Sequence, residues 1–390
     1  MELSERNKSL DGVRALSTLG IILYHLFSVS GQTINNPNGL GEFSGRLNVA
    51  VSIFFVLSGY LLFRPFVEAI LLDAPFSKSS TFYLKRFVRI IPAYWVALLI
   101  LWKIDAINFP NFSGFIRSLF LIHTFTEGNV LTGIAQTWTL SVEVFFYLCL
   151  PWIAMLIRAC TRNKTSKVKL CNLFGCLIAL YASAYVFRVV FHLVQLEHFE
   201  THAILLPAHF DTFALGMLVS AGVVTLQVFP ELRGLQTRLA RLAPVFFVFS
   251  GATWFWSTQI GWALDFNLSR FRIVLFGFFL YGIASVCFVI PFCLDSGTSR
   301  VTKIFGSRLF VWLGTISYGM YLWHFLFLVG GFSDKYMPYE FHDMGIATRM
   351  LITIPGTIAI ASLSYYLIER PLLRALSRTM QKRKIQNHLM

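Results

Sequence analysis

Arg14 and His25 stand eleven positions apart in LDGVRALSTLGIILYHLF (10–27), a stretch that is otherwise mostly apolar. In an α-helix eleven residues make three turns plus roughly 20°, so both side chains project from one face, about 16 Å apart along the axis. An ionisable residue held in an apolar span is costly and marks a functional candidate. The imidazole suits proton transfer and the guanidinium suits an anion. A buried histidine bonded to a backbone carbonyl, beside a snorkelling arginine, is the structural alternative.

Four further stretches carry chemistry. In FYLKRFVRIIPAYW (82–95), Arg86 and Arg89 lie three apart ahead of an apolar run and share a helix face, a fork suited to phosphates or lipid headgroups. In TWTLSVEVFFYLCLP (137–151), Glu143 is an acid among apolar residues, able to orient a histidine base or to bond a neighbouring helix. His209 and Asp211 in LPAHFDTFALG, and His324 in SYGMYLWHFLF, are placed to line a cavity or to bond backbone. Asp211 and His324 are candidate substrate contacts. His192, His198 and His202 have no metal-site spacing and read as polar surface, so no metal is expected. In FFVLSGYLL (54–62), Ser58 and Gly59 read as a close helix contact.

These groups need helices in a membrane to position them. The chain has 390 residues, 56% hydrophobic and 13% charged, with 40 Phe. Its mean hydropathy is +0.65. Soluble chains carry about 25% charged residues, so an ordinary soluble fold is excluded. The net charge of +14 is spread between apolar runs, which argues for membrane topology rather than nucleic acid. The first apolar segment lacks a small-x-small cleavage site and reads as a retained helix.

The expected fold is an all-α polytopic membrane protein with ten spans of roughly 20 residues. They fall near 12–30, 47–63, 90–106, 138–157, 172–195, 208–228, 243–262, 272–294, 309–331 and 346–368. With the N-terminus inside, 24 of the 33 Lys and Arg fall on the cytoplasmic side, at 6–8, 64–89, 158–169, 233–241, 300–308 and 370–384. Seven fall outside, and Arg14 and Arg188 lie in spans. Both termini are therefore expected in the cytoplasm. All six cysteines then lie in the membrane or towards the cytoplasm and are expected to be reduced. FSGFIRSLFLIHTF (112–125) reads as a re-entrant or interfacial helix on the outer side, with an eleventh span as the alternative. Residues 1–370 form one transmembrane domain, and 371–390 a basic cytoplasmic tail. No further soluble domain is expected.

The order DGVRALSTLGIILYH, FFVLSGYLL, KRFVRIIPAYW, TWTLSVEVFFYLCLP, HFDTFALG, SYGMYLWH, YYLIERPLL resembles the acyltransferase-3 family of integral-membrane acyltransferases from Leu10 to Leu373. The family's Arg-x10-His is matched by Arg14 and His25, its Arg-x-x-Arg by Arg86 and Arg89, and its WxLxxE glutamate by Glu143. Two departures concern the acceptor. Where relatives often have an Asp before FFVLSG, this chain has Ser52 nearest. Where an Arg often precedes Phe-Asp, it has His209.

The resemblance implies transfer of an acyl group, often acetyl, from cytoplasmic acyl-CoA to a hydroxyl. The acceptor would be a cell-envelope carbohydrate or a secondary metabolite such as a macrolide. The setting would be a bacterial cytoplasmic membrane. Arg14, Arg86 and Arg89 are then expected to bind CoA. His25 is expected to serve as general base, or to carry the acyl group, with Glu143 orienting it. A solute transporter and a silent receptor are the alternatives from other classes. Transporters often show paired halves with broken helices, and no such pairing is visible.

Overall fold

A computed structural model describes residues 7–30, 39–126, 132–194, 204–259, 276–295, 297–328 and 345–389. Helices account for nearly all of them: α1 (Lys8–Val29), α2 (Leu40–Gly45), α3 (Val49–Leu71), α4 (Ser79–Lys103), α5 (Phe112–Leu119), α6 (Trp138–Thr161), α7 (Ser166–Val194), α8 (Phe210–Val228), α9 (Arg233–Arg241), α10 (Ala243–Gln259), α11 (Phe278–Leu294), α12 (Arg300–Phe305), α13 (Arg308–Trp323), α14 (Ile346–Ser364) and α15 (Arg370–Leu389). Among the described residues there is no strand. Local chemistry starts several of these helices. The Asn7 side chain accepts from Ser9 N at 3.1 Å, Asn111 from Gly114 N at 2.8 Å, and Ser299 from Thr302 N at 3.2 Å, each supplying an orphan amide with a partner.

Each of the ten expected spans contains helix among its described residues. Six helices are long and apolar enough to cross a membrane by length and composition: Lys8–Val29, Gly41–Leu71, Ala135–Thr161, Ser166–Phe191, Leu206–Val228 and Ile346–Lys382. A seventh candidate is the pair Pro230–Arg241 and Ala243–Thr258, bent by 55°. Large apolar side chains stay exposed along such helices, including Trp152, Leu156, Val248, Phe255, Leu351 and Leu367. A surface of this kind suits lipid and not water. The chain is a multi-pass membrane protein.

Two expected boundaries move. α4 begins at Ser79, so Lys85, Arg86 and Arg89 lie inside the helix and do not precede it. The last apolar run passes through a π-turn at Tyr365–Glu369 and continues as helix to Leu389, so the basic tail is helical.

Segment 112–125 is short, as expected. α5 has eight residues, about 12 Å of helix, against the roughly 30 Å of a bilayer core. It folds back along α4. Tyr94 Oη donates to Ser118 O at 2.5 Å and Trp95 Nε1 to Leu119 O at 3.0 Å, while Ser141 Oγ of α6 donates to Leu121 O at 2.6 Å. Tyr94 lies nine residues before the end of α4, about 13 Å along the axis, so this backbone re-enters the bundle. Protein side chains bond its carbonyls there, the condition on which irregular backbone survives away from water.

Two helix crossings set the core. A Cβ on Gly216 of α8 would sit 2.0 Å from Val56 O of α3, and one on Gly59 of α3 would sit 2.2 Å from Phe213 O of α8. The two backbones therefore touch, which accounts for the small residues in FFVLSGYLL. α1 meets α12 and α13 in the same way through Gly12 and Gly314.

Polar ties gather the basic segments at one end of the bundle. Asn7 Nδ2 donates to Phe292 O at 2.7 Å, Arg64 Nη2 to Gln227 Oε1 at 2.9 Å, Arg158 Nη2 to Ala74 O at 2.8 Å, and Gln236 Nε2 to Leu294 O at 3.4 Å. Lys169 Nζ pairs with Asp73 at 2.7 Å.

Candidate active site

Helices α1, α3, α6 and α13 line a small, partly open cavity of about 30 Å³. Thr139, Glu143, Tyr318 and Tyr321 supply its polar lining, and Ile21, Val51, Phe54, Phe55 and Leu140 its apolar walls. Ile21 is one turn before His25 on α1. Tyr321 is held rigidly. Its hydroxyl is shared with Thr139 Oγ1 at 2.7 Å and donates to Gln136 O.

His25 is partly exposed and His324 is fully buried. His25 Nδ1 and His324 Nε2 are 3.1 Å apart, with ring centroids at 5.1 Å. His324 Nδ1 lies 2.7 Å from Tyr321 O. The two histidines thus form a pair beside the cavity, joined to its wall through Tyr321. The expected hydrogen bond between His25 and Glu143 is absent. His324, reached across 299 sequence positions, fills that place because α13 packs along α1. Glu143 instead accepts from Ser58 Oγ at 2.5 Å.

Arg14 and Arg86 interact with Glu143 of the cavity wall, and Arg89 interacts with both arginines. Arg14 is held by Asp11 at 3.1 Å, and its charge interacts with those of Arg89, Arg86 and Glu143. Arg86 lies over the Tyr147 ring at 5.7 Å, and its Nε is buried without a hydrogen-bond partner. Arg89 interacts with the buried carboxylate of Glu369 at the π-turn. Arg14, Arg86, Arg89 and Glu143 therefore form one electrostatic cluster, drawn from helices separate in sequence. Three guanidinium groups thus converge here, with Asp11, Glu143 and Glu369 as their acidic neighbours, and planar guanidinium forks suit phosphate oxygens.

Asp211 is placed elsewhere. It forms a buried ion pair with Arg188 Nη2, and its other oxygen accepts from Thr212 N at 2.7 Å. Arg188 Nε donates to Ala208 O at 2.9 Å, and the guanidinium lies 4.4 Å from the Phe278 ring. The carboxylate is committed within the fold, and the guanidinium missing before Phe210–Asp211 comes from α7. The His209 ring packs against Trp138 and Phe55, with centroids at 5.7 and 5.3 Å. The side chain of His192, and all of His198 and His202, lie outside the described residues. Among the described residues no three His, Cys, Asp or Glu side chains are grouped to hold a metal.

Sequence reasoning missed Ser58, Arg188 and the pairing role of His324. Ser58 was legible only as a small residue, and nothing local to 317–327 points to α1.

The chain belongs to the acyltransferase-3 family: that family's acyltransferase-domain model matches residues 7–369. Among curated proteins it is similar to the peptidoglycan O-acetyltransferase OatA of Listeria monocytogenes, 24% identical over 93% of this chain and 55% of the relative. A putative O-acetyltransferase of Staphylococcus aureus is 26% identical over 93% of this chain and 56% of its own length. The putative peptidoglycan O-acetyltransferase YrhL of Bacillus subtilis is 24% identical over 93% and 54%. The chain spans about half the length of the curated relatives it matches. No solved structure matches it.

Proposed function

We propose that this protein takes an acyl group, in the first instance acetyl, from acyl-CoA on the cytoplasmic side. It passes the group to a hydroxyl of a cell-envelope carbohydrate. The observation that carries the reading is the spatial order of the site: Arg14, Arg86 and Arg89 cluster at the basic end, and His25 lies three helical turns farther along the same α1 face as Arg14. CoA is a polyanion at one end and a thioester at the other, and that order fits its length. The basic residues gathered at the arginine end favour a cytoplasmic location for it, hence a bacterial cytoplasmic membrane. Peptidoglycan, the substrate named for two of the relatives, is the first acceptor to try.

In this scheme the arginines hold the phosphates. His25 removes the proton from the acceptor hydroxyl as its oxygen attacks the thioester carbonyl. The carbon–sulfur bond breaks, and the CoA thiolate takes the proton back from the imidazolium. Glu143, held by Ser58, interacts with the charges of Arg14 and Arg86 and positions the cations rather than the base.

The test compares envelope glycans, by mass, from a strain lacking the protein and its parent. Loss of one acyl increment per modified sugar supports the reading and identifies both acyl group and acceptor. Identical glycans, with an acylated small molecule lost instead, would move the acceptor out of the envelope.

A further inference from the structure

We propose that His324 is a positioning residue that fixes the tautomer of His25, leaving His25 Nε2 as the atom that takes the acceptor proton. This rests on His25 being the base. A carbonyl oxygen can only accept, so His324 Nδ1, 2.7 Å from Tyr321 O, carries a hydrogen. His324 is fully buried, and its described partners are the Tyr321 and Met320 carbonyls and His25, with no carboxylate among them. A charged ring there would be uncompensated, so it is neutral and its Nε2 holds a lone pair. His25 Nδ1, 3.1 Å away, must then be the donor. It follows that neutral His25 has its hydrogen on Nδ1 and its basic lone pair on Nε2.

The consequence for the reaction is a one-proton cycle at a single atom. The acceptor oxygen bonds to the thioester carbonyl carbon and its proton passes to His25 Nε2. The carbon–sulfur bond breaks with the electron pair on sulfur, and the thiolate recovers that proton from Nε2. The hydrogen on Nδ1 stays throughout, bonded to His324 Nε2, and the acceptor lone pair steadies the transient imidazolium. His324 keeps its own proton. The role matches that of the third member of a nucleophile–base–orienter set, with a neutral imidazole in place of a carboxylate. The Ile21 carbonyl, one turn back on α1, also bonds the His25 ring; released from His324, the ring keeps that bond alone, and the form with hydrogen on Nε2, where it is no base, gains population.

The experiment uses the full chain in lipid nanodiscs with 15N-labelled histidine. The His25 resonances are assigned by their loss in His25→Gln. The proposal expects the wild-type ring to report hydrogen on Nδ1, and His324→Ala to report a shift towards Nε2. With acetyl-CoA and a glycan acceptor, His324→Ala should lower kcat by roughly 10²-fold or more while leaving the KM for acetyl-CoA within a few fold. His324→Gln, whose amide oxygen can still accept from Nδ1, should recover at least about tenfold of that loss. A wild-type ring with its hydrogen on Nε2 overturns the proposal without reference to any variant. So does equal impairment in the Gln and Ala variants, or near-normal turnover in His324→Ala. If His25→Gln itself remains active, the base reading fails instead, and the tautomer measurement still stands apart from it.

Discussion

At the residue scale, the three arginines and Ser58 should separate in kinetics. Replacing Arg86 or Arg89 with Ala removes one of three cations facing a polyanion. Each change should raise the KM for acyl-CoA about tenfold, or more, with a smaller effect on kcat, as expected when a charge-assisted contact worth about 1.5–3 kcal/mol is lost. Saturation curves for acyl-CoA and acceptor distinguish this from an acceptor-side effect. Ser58→Ala removes the hydrogen bond to a half-buried carboxylate. It should cost about 1–3 kcal/mol in stability, read as a lowered Tm in detergent. Arg14, His25, Arg86, Arg89 and Glu143 were all legible as chemistry-bearing types in apolar surroundings. Their partners were not. His25 to His324, Glu143 to Ser58 and Asp211 to Arg188 are contacts between helices, and a single sequence records neither which faces meet nor at what height. Glu143 shows the consequence: a base and an acid suggested a pair, while the crossing of α3 with α6 gives the acid to Ser58.

At the scale of elements, helix existence was legible because a bilayer demands runs of roughly 20 apolar residues. Helix ends were less so. Lys85, Arg86 and Arg89 lower the hydropathy of the first turns of α4, yet Lys and Arg are good helix formers and the helix runs through them. The α3–α8 crossing carries a sharp expectation. Gly216→Ala places a methyl where Val56 O already lies 2.0 Å away, so the helices must part. A loss of about 1–3 kcal/mol is expected, with thermal unfolding as the check. The turn after α11 offers a pH-dependent one. Burial opposes ionisation of Asp295, but hydrogen bonds from Thr298 and Ser299 outweigh it and hold the carboxyl below its usual range. The group therefore stabilises the folded chain above the unfolded value of 3.8, and the contribution shrinks as the pH falls below that. The Tm gap between wild type and Asp295→Asn should be wide at neutral pH and narrow in acid. A gap that widens in acid contradicts the assignment.

For the whole molecule, the gathering of basic segments at one end turns a charge census into geometry. Cys160 and Cys171 are exposed beside the Arg158–Lys169 turn at that end. With the basic end in the cytoplasm, a membrane-impermeant maleimide should label them in inverted vesicles and spare them in right-side-out ones. A variant with both replaced by Ser controls for the other thiols. The reverse pattern would turn the protein over and put the arginine cluster out of reach of cytoplasmic acyl-CoA.

The central claim is that His25 performs the proton transfer for acyl transfer from acyl-CoA. Its most direct test is acylated glycan and free CoA thiol, measured together, from purified wild-type and His25→Ala protein in nanodiscs with acetyl-CoA and a peptidoglycan acceptor. Wild type should yield the two products in equal amounts. His25→Ala should bind acetyl-CoA as wild type does and yield neither product above background. Near-normal yield of both products from His25→Ala would contradict the account.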